Sequence, residues 1–511
     1  MISIKGYLEN SSLDAWLTNR WQRMEGMDVS DVGYDAFLAN GQTSLNLLPQ
    51  AKVGDKVRVR LINSGASSYF DIQQSSGAFK VVAADGLDVQ AVKVKELRMG
   101  MAETYDVVVT IPESGAYEFA ANNMDGTGGV KITLGQGEVI SSPDPKRPNV
   151  FAKMEHGEGH GGAHTNMTQQ GGDHSMHQMQ AAPNVDEMSQ HANHQMMKTP
   201  KPEADKLDYS MLKSKEPVLY SGELQEFTLE LTGDMESYNW SFNNTPLSKA
   251  DVLKIDRGKV VRFHFKNESM MHHPLHLHGH FFKVISGNGE YNVLKHTVDV
   301  PPMGNVTIEF AANEEKAWFF HCHNLYHAKT GMARVVQYSD YEGNPEFAKA
   351  KMASNEIMDN DWYVRTDLGF YSSFADLSVR YSNTLHSVEF DATNYFSEYN
   401  QVSLDYNYKT SRWLRYFIGL EREHEENSVL VGIKYVTPFN IDTALWINNQ
   451  GEIQAEAETS FQLTPSIGLD LGVSTQEEWQ VTLEYSSSPS WSIGINANQT
   501  SGVGVGIAAT F

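Results

Sequence analysis

From residue 362 to Phe511 apolar and polar residues alternate almost without interruption. That period of two confines the segment to β-strands, about ten of them in succession. Within residues 452–463 the odd positions Ile453, Ala455, Ala457, Phe461 and Leu463 are apolar or small, whereas Glu452, Gln454, Glu456, Glu458 and Gln462 are polar. Residues 479–485, 491–497 and 503–507 repeat the pattern. Strands of about ten residues, apolar on one face, with aromatics near their ends and short turns, fit an antiparallel outer-membrane-type β-barrel whose apolar side faces lipid. A soluble sandwich also alternates and is the alternative.

The upstream chain is β-patterned as well. Residues 56–62, 105–111, 225–232, 259–266 and 332–338 alternate, with Gly and Pro punctuation between them. Short strands at this spacing predict two sandwich domains, at 1–140 and 211–340. Between them, residues 141–210 form a linker whose composition shifts sharply near residue 150. It carries His156, His160, His164, His174, His177, His191 and His194 among Met154, Met167, Met176, Met179, Met188, Met196 and Met197. Such a stretch holds too little apolar surface to fold alone. Imidazole with thioether suits copper, so the linker reads as a flexible copper-gathering segment, with an inert linker as the alternative. A charged, helix-favouring connection at 341–361 leads into the barrel at 362–511.

The net charge of -24 opposes binding to nucleic acid, whose phosphates would repel the chain. A single cysteine, Cys322, excludes an intrachain disulfide and points to chemical use of the thiol. No run approaches the length of a membrane helix, and the first twenty residues lack the apolar core of an export signal.

The densest chemistry lies between His273 and Met332. His273, His276, His278 and His280 fall within eight residues, and His321, Cys322, His323, His327 and Met332 follow later. One thiolate, several imidazoles and a thioether together are a donor set that copper prefers. If residues 321–323 are extended, His321 and His323 project to one face and Cys322 to the other. The same parity places His276 and His278 together and His273 opposite. Two metal sites are therefore implied. One is a His2Cys site with an axial thioether, from His273, Cys322, His327 and Met332, and the other is all-histidine, from His276, His278, His321 and His323.

The stretches 273–280 and 321–332 resemble the two C-terminal copper motifs of multicopper oxidases: laccases, ascorbate oxidase and the CopA-type copper-resistance oxidases. Residues 295–302 are similar to a further family segment. The resemblance implies cupredoxin-like Greek-key sandwiches, the first without copper ligands. It also implies type 1 copper at His273, Cys322, His327 and Met332, type 2 copper at His276, and type 3 copper at His278, His321 and His323. His264, His272 and His280 match no ligand position. Family members complete the trinuclear cluster with two more His-x-His pairs from an N-terminal domain, yet residues 1–150 contain no histidine. The cluster is thus expected to need another domain or chain. The barrel region, ending on Phe511, looks like the CopB-type copper-resistance outer-membrane proteins.

The resemblance implies copper resistance in the envelope of a Gram-negative bacterium, at the outer membrane and periplasm. The partners are copper ions, dioxygen if the chain turns over, and outer-membrane lipid. The implied activity is Cu(I) oxidation with electron transfer from a blue copper to a trinuclear cluster. The alternative is a non-catalytic copper-sequestering protein anchored by its barrel. The frame is expected to begin inside a longer gene, having lost its export signal and first domain. The join between oxidase and barrel is either a true fusion or a damaged gene.

Overall fold

The computed structural model describes residues 3–23, 29–48, 50–111, 116–152, 204–233, 238–343, 359–396, 400–423, 426–476, 478–488 and 490–511. The Met/His-rich stretch 154–197, and residues 344–358 of the charged connection, lie outside them. The described chain is nearly all β.

The first sheet has ten strands. Its central strand, Leu87–Met99, is long enough to serve both halves of a sandwich. Its beginning pairs antiparallel with Phe79–Ala84 and its end with Phe70–Gln74. Lys56–Ile62, the strand expected at 56–62, pairs along its whole length with Thr104–Thr110. Ala204–Lys206, inside the expected linker, adds a short parallel strand beside Val94 and Glu96.

Two short helices precede this sheet, Ile4–Asn10 and Leu13–Trp21, where alternation gave no expectation. Ser3 and Ser12 cap them by accepting from the backbone N–H of Gly6 and Ala15, each at 3.0 Å. The second helix reaches the barrel, where Arg20 donates to Thr459 Oγ1 at 3.0 Å.

The second sandwich pairs a six-stranded sheet with a five-stranded one. Phe242, Phe263, Phe265, Phe310 and Phe320 fill the space between them, with Phe265 stacked on Phe320 at 5.6 Å. The five-stranded sheet carries both histidine motifs. His273–Leu277 runs antiparallel to Ala317–Cys322, with Leu275 opposite Cys322 and His276 opposite His321. On its other edge lies Thr297–Val300, with Thr297 opposite His276. One continuous apolar core joins the two sandwiches.

Twelve antiparallel strands, from Tyr363–Tyr371 to Gly502–Thr510, then form a closed barrel. Closure comes from pairing of the last strand with the first, from Asp367↔Thr510 to Tyr371↔Gly506. Tyr406, Ile418, Val431 and Ile447 sit side by side on the outer wall and are exposed. The alternate residues Glu389, Asp405 and Asn407 are buried inside, where Lys434 Nζ donates to Glu389 and Asp405 at 3.2 and 3.0 Å. Apolar outside and polar inside is the inverse of a soluble sandwich. No described helix is long and apolar enough to cross a membrane.

Candidate metal centre

Strand geometry separates the motif residues as parity requires. Cys322 ends its strand pointing into the sandwich, fully buried with His273 and His327. Cys322 Sγ lies 3.7 Å from Nδ1 of each imidazole, and the two Nδ1 atoms are 3.1 Å apart. Among the described residues this is the one group of three or more His, Cys, Asp or Glu whose ligand atoms all lie within 4.8 Å of one another. A triangle of this size surrounds an ion bonded at about 2.0 Å to nitrogen and about 2.3 Å to sulfur.

Hydrogen bonds at the back of each ring fix which nitrogen faces the thiol. Ser269 Oγ donates to Asn267 Oδ1 at 2.8 Å, which leaves that hydroxyl to accept from His273 Nε2 at 2.7 Å. His327 Nε2 donates to Asp31 Oδ1 at 3.1 Å. Both rings therefore turn an unprotonated Nδ1 toward Cys322, as metal-binding imidazoles do when the far nitrogen has an acceptor. Trp240 stacks on His327 at 4.2 Å and closes one side.

Asp31 is the residue that motif spacing could not reveal. It lies far upstream, its side chain is buried, and it also accepts from Tyr238 Oη at 2.8 Å and Asn324 Nδ2 at 2.5 Å. Burial opposes its ionisation, but the bonds from His327, Asn324 and Tyr238 outweigh burial and hold the carboxyl below its usual range.

Met332 is fully buried and tied to the same residues through its backbone. Its N–H donates to the His327 carbonyl and its carbonyl accepts from the Cys322 N–H, both at 3.0 Å. The short helix Leu325–Lys329, capped by Asn324 Oδ1 on the Tyr326 N–H, sets His327 at the required height.

On the opposite face His276, His278, His321 and His323 gather with neighbouring ring centroids 4.7–5.8 Å apart. His278 Nε2 and His321 Nε2 approach to 3.3 Å. His276 Nδ1 donates to the His296 carbonyl at 2.8 Å and His321 Nδ1 to the Cys322 carbonyl at 2.9 Å, so both present Nε2 to the space between the rings. His323 Nδ1 is buried without a hydrogen-bond partner among the described residues. These donors spread wider than the cysteine triangle, over more room than one ion's shell. His264, His272 and His280 have protein partners instead: Glu226, Asp299 and Tyr338.

Burial sets the protonation of the ligand candidates. It pushes His273 well below the ordinary imidazole value and lowers His278, His323 and His327, the last despite its bond to Asp31. His276 is lowered to about 4 and His321 to about 3, again chiefly by burial. The Cys322 thiol is pushed up by burial. Neutral imidazoles around one thiol that ionises on binding are what a soft-leaning metal site requires.

Residues 15–138 and 225–342 each match the multicopper oxidase family. These two segments are homologous to multicopper oxidases. Copper is therefore the ion that the homology implies, and the donor set fits it. Copper resistance protein A of Escherichia coli is 33% identical over 375 residues, covering 62% of this chain and 61% of that protein. Multicopper oxidase MmcO of Mycobacterium tuberculosis is 29% identical over 315 residues, 61% of this chain and 52% of its own length. The crystal structure of Fet3p, a multicopper oxidase that functions in iron import, aligns over 68% of this chain and 69% of its own, at 16% identity and a TM-score of 0.44. The chain spans under two thirds of the length of these two curated relatives.

Proposed function

We propose that this protein binds copper in the service of copper resistance, with type 1 copper held by His273, Cys322, His327 and Met332. The observation that carries the reading is the buried triangle of the only cysteine with two back-bonded imidazoles. His276 as the type 2 ligand, with His278, His321 and His323 as the type 3 ligands, make up the chain's own share of a trinuclear cluster. Bound copper supplies one-electron redox chemistry, with Cu(I) as the reductant and dioxygen as the acceptor. The chain's residues exclude water from the thiol, keep each imidazole neutral and aimed, and join the two sites covalently, since His321 and His323 flank Cys322.

The same reading divides the chain at 1–140, 141–210, 211–340, 341–361 and 362–511. It places the barrel in the outer membrane, with lipid against Tyr406, Ile418, Val431 and Ile447, and the copper sites in the periplasm. A second reading is favoured by the absence of histidine from residues 1–150: copper is held and sequestered without turnover.

One measurement separates the two. Copper-loaded full-length protein that shows a blue charge-transfer band and consumes oxygen with Cu(I) is an oxidase, whereas a blue sample that consumes none is a sequestering protein. If Cys322→Ser leaves copper content, colour and redox behaviour unchanged, both readings fail.

A further inference from the structure

The helix Leu13–Trp21 divides its surface among three surroundings. At about 3.6 residues per turn, Trp16 and Arg20 share one side, Ala15 and Asn19 a second, and Leu13, Leu17 and Trp21 a third.

The first side meets the barrel. Arg20 donates to Thr459 Oγ1 at 3.0 Å and lies over the Phe461 ring at 5.0 Å, and the Trp16 ring is 6.2 Å from the same ring. Lys434, inside the barrel, pairs with Ala444 and Ala444 with Glu456, so Glu456 and Glu458 point inward while Thr459 and Phe461 lie on the outer wall. Tyr435 is outward by the same alternation. Just beyond the helix, Arg23 donates to Tyr435 Oη at 3.1 Å and to the Val436 carbonyl at 3.0 Å. The Phe439 N–H donates to the Arg20 carbonyl at 2.7 Å, and its ring meets Trp21 at 5.5 Å.

The second side meets the rest of the N-terminal module. Ala15 is buried there, and Asn19 Nδ2 donates to Tyr7 Oη at 2.9 Å and to the Ala152 carbonyl at 3.0 Å. The third side is turned away from that module, on the opposite face of the helix. On it Leu13, Leu17 and Trp21 are 50%, 41% and 61% exposed, an apolar stripe along the full length of the helix.

The level at which the stripe sits decides what covers it. Strand pairing sets Tyr363 beside Ser382, His386 beside Tyr408, Lys409 beside Arg415 and Leu414 beside Tyr435, so the helix docks at the barrel end where the chain enters. Around this end Tyr381, Tyr408, Tyr416, Tyr435 and Trp491 are exposed on the outer wall. A girdle of aromatics marks the headgroup level of a membrane barrel. Trp21 continues that girdle on the helix. Arg20 and Arg23 make this helix end cationic in a chain of net charge -24, which suits headgroup phosphate.

We propose that the helix Leu13–Trp21 is an interfacial anchor, lying beside the barrel with Leu13, Leu17 and Trp21 sunk into the phospholipid headgroup boundary. The proposal rests on the reading of the barrel wall as lipid-facing. It adds a second membrane contact that fixes the copper-binding module at the surface, independent of the barrel strands.

The test attaches a nitrobenzoxadiazole fluorophore to Leu17→Cys, to Thr18→Cys on the polar side of the same helix, and to Ile418→Cys on the barrel wall, each in the full-length protein refolded into phosphatidylcholine vesicles. Leu13→Cys gives a second reading on the stripe. The unaltered chain, whose buried Cys322 is its one thiol, measures background labelling. Lipid brominated along the acyl chains should quench positions 13 and 17 about twofold or more beyond position 18, with position 418 quenched as well. Positions 13 and 17 quenched no more than 18, while 418 is quenched, overturn the proposal, because the stripe then faces water or another polypeptide. No quenching at 418 is a different failure, that of the barrel's membrane reading, and the proposal falls with it.

Discussion

His327 and Asp31, 296 residues apart, share a hydrogen bond of 3.1 Å with both side chains buried. The carboxylate fixes the His327 tautomer and keeps a negative charge one imidazole away from the thiol. Removing it in Asp31→Ala frees the ring to turn and strips that charge. Copper affinity at the His273–Cys322–His327 site should fall about 10- to 100-fold. The reduction potential should rise, because a nearby negative charge favours the cupric form. Copper titration followed through the blue band, and a redox titration, check both. An unchanged affinity would mean that Trp240 stacking alone holds the ring.

The metal-free protein should lose stability in acid. His276 and His321 have folded-state values of about 4 and about 3, below the ordinary value of about 6.5. The unfolded chain therefore binds more protons than the folded one across the interval between these values, and stability rises with pH there. It is fully present above about pH 6.5 and drains away as pH falls toward 4. Between pH 7 and 5 each such imidazole should cost about 1–2 kcal/mol. Urea midpoints of copper-free protein over that range should drop steadily. A flat profile would show the rings to be solvated.

Copper loading should release protons from one place. At pH 7 the buried imidazoles are already neutral and the Cys322 thiol, pushed up by burial, is still protonated. Binding makes it a thiolate. In weak buffer the filling of the His273–Cys322–His327 site should therefore release about one proton per copper, and Cys322→Ser should release none. Release of two or more would place protons on His273 or His327 before loading.

Much of this was legible in the sequence because it is local. Period-two alternation located Lys56–Ile62 to the residue and foretold strands to the end of the chain, closed here as a barrel. Parity around Cys322 separated His273 from His276 and His278, and the structure keeps them on opposite faces. What stayed hidden depends on contacts between distant segments. Asp31, Ser269 and Asn267 sit in unremarkable polar stretches and gain meaning only when folding places them behind a ring. His296 lies within residues 295–302, yet only strand pairing brings it beside His276. The N-terminal helices had a signal in Ser3 and Ser12, each three residues before the N–H it caps, but no apolar stripe made that signal stand out.

The barrel offers a test in which lipid and water give opposite answers. Ile418 lies mid-strand on the outer wall, 52% exposed, between Tyr406 and Val431 of the adjoining strands. On a water-facing surface, Ile418→Lys changes stability by about 0.5 kcal/mol or less. Against hydrocarbon the same change costs about 2–4 kcal/mol near the bilayer midplane. Refolding of the full-length protein into phosphatidylcholine vesicles, with urea midpoints read for both forms, separates the cases. A loss on the larger scale supports lipid contact at this wall. A difference within the smaller one removes the membrane from the reading and leaves the copper sites as they stand.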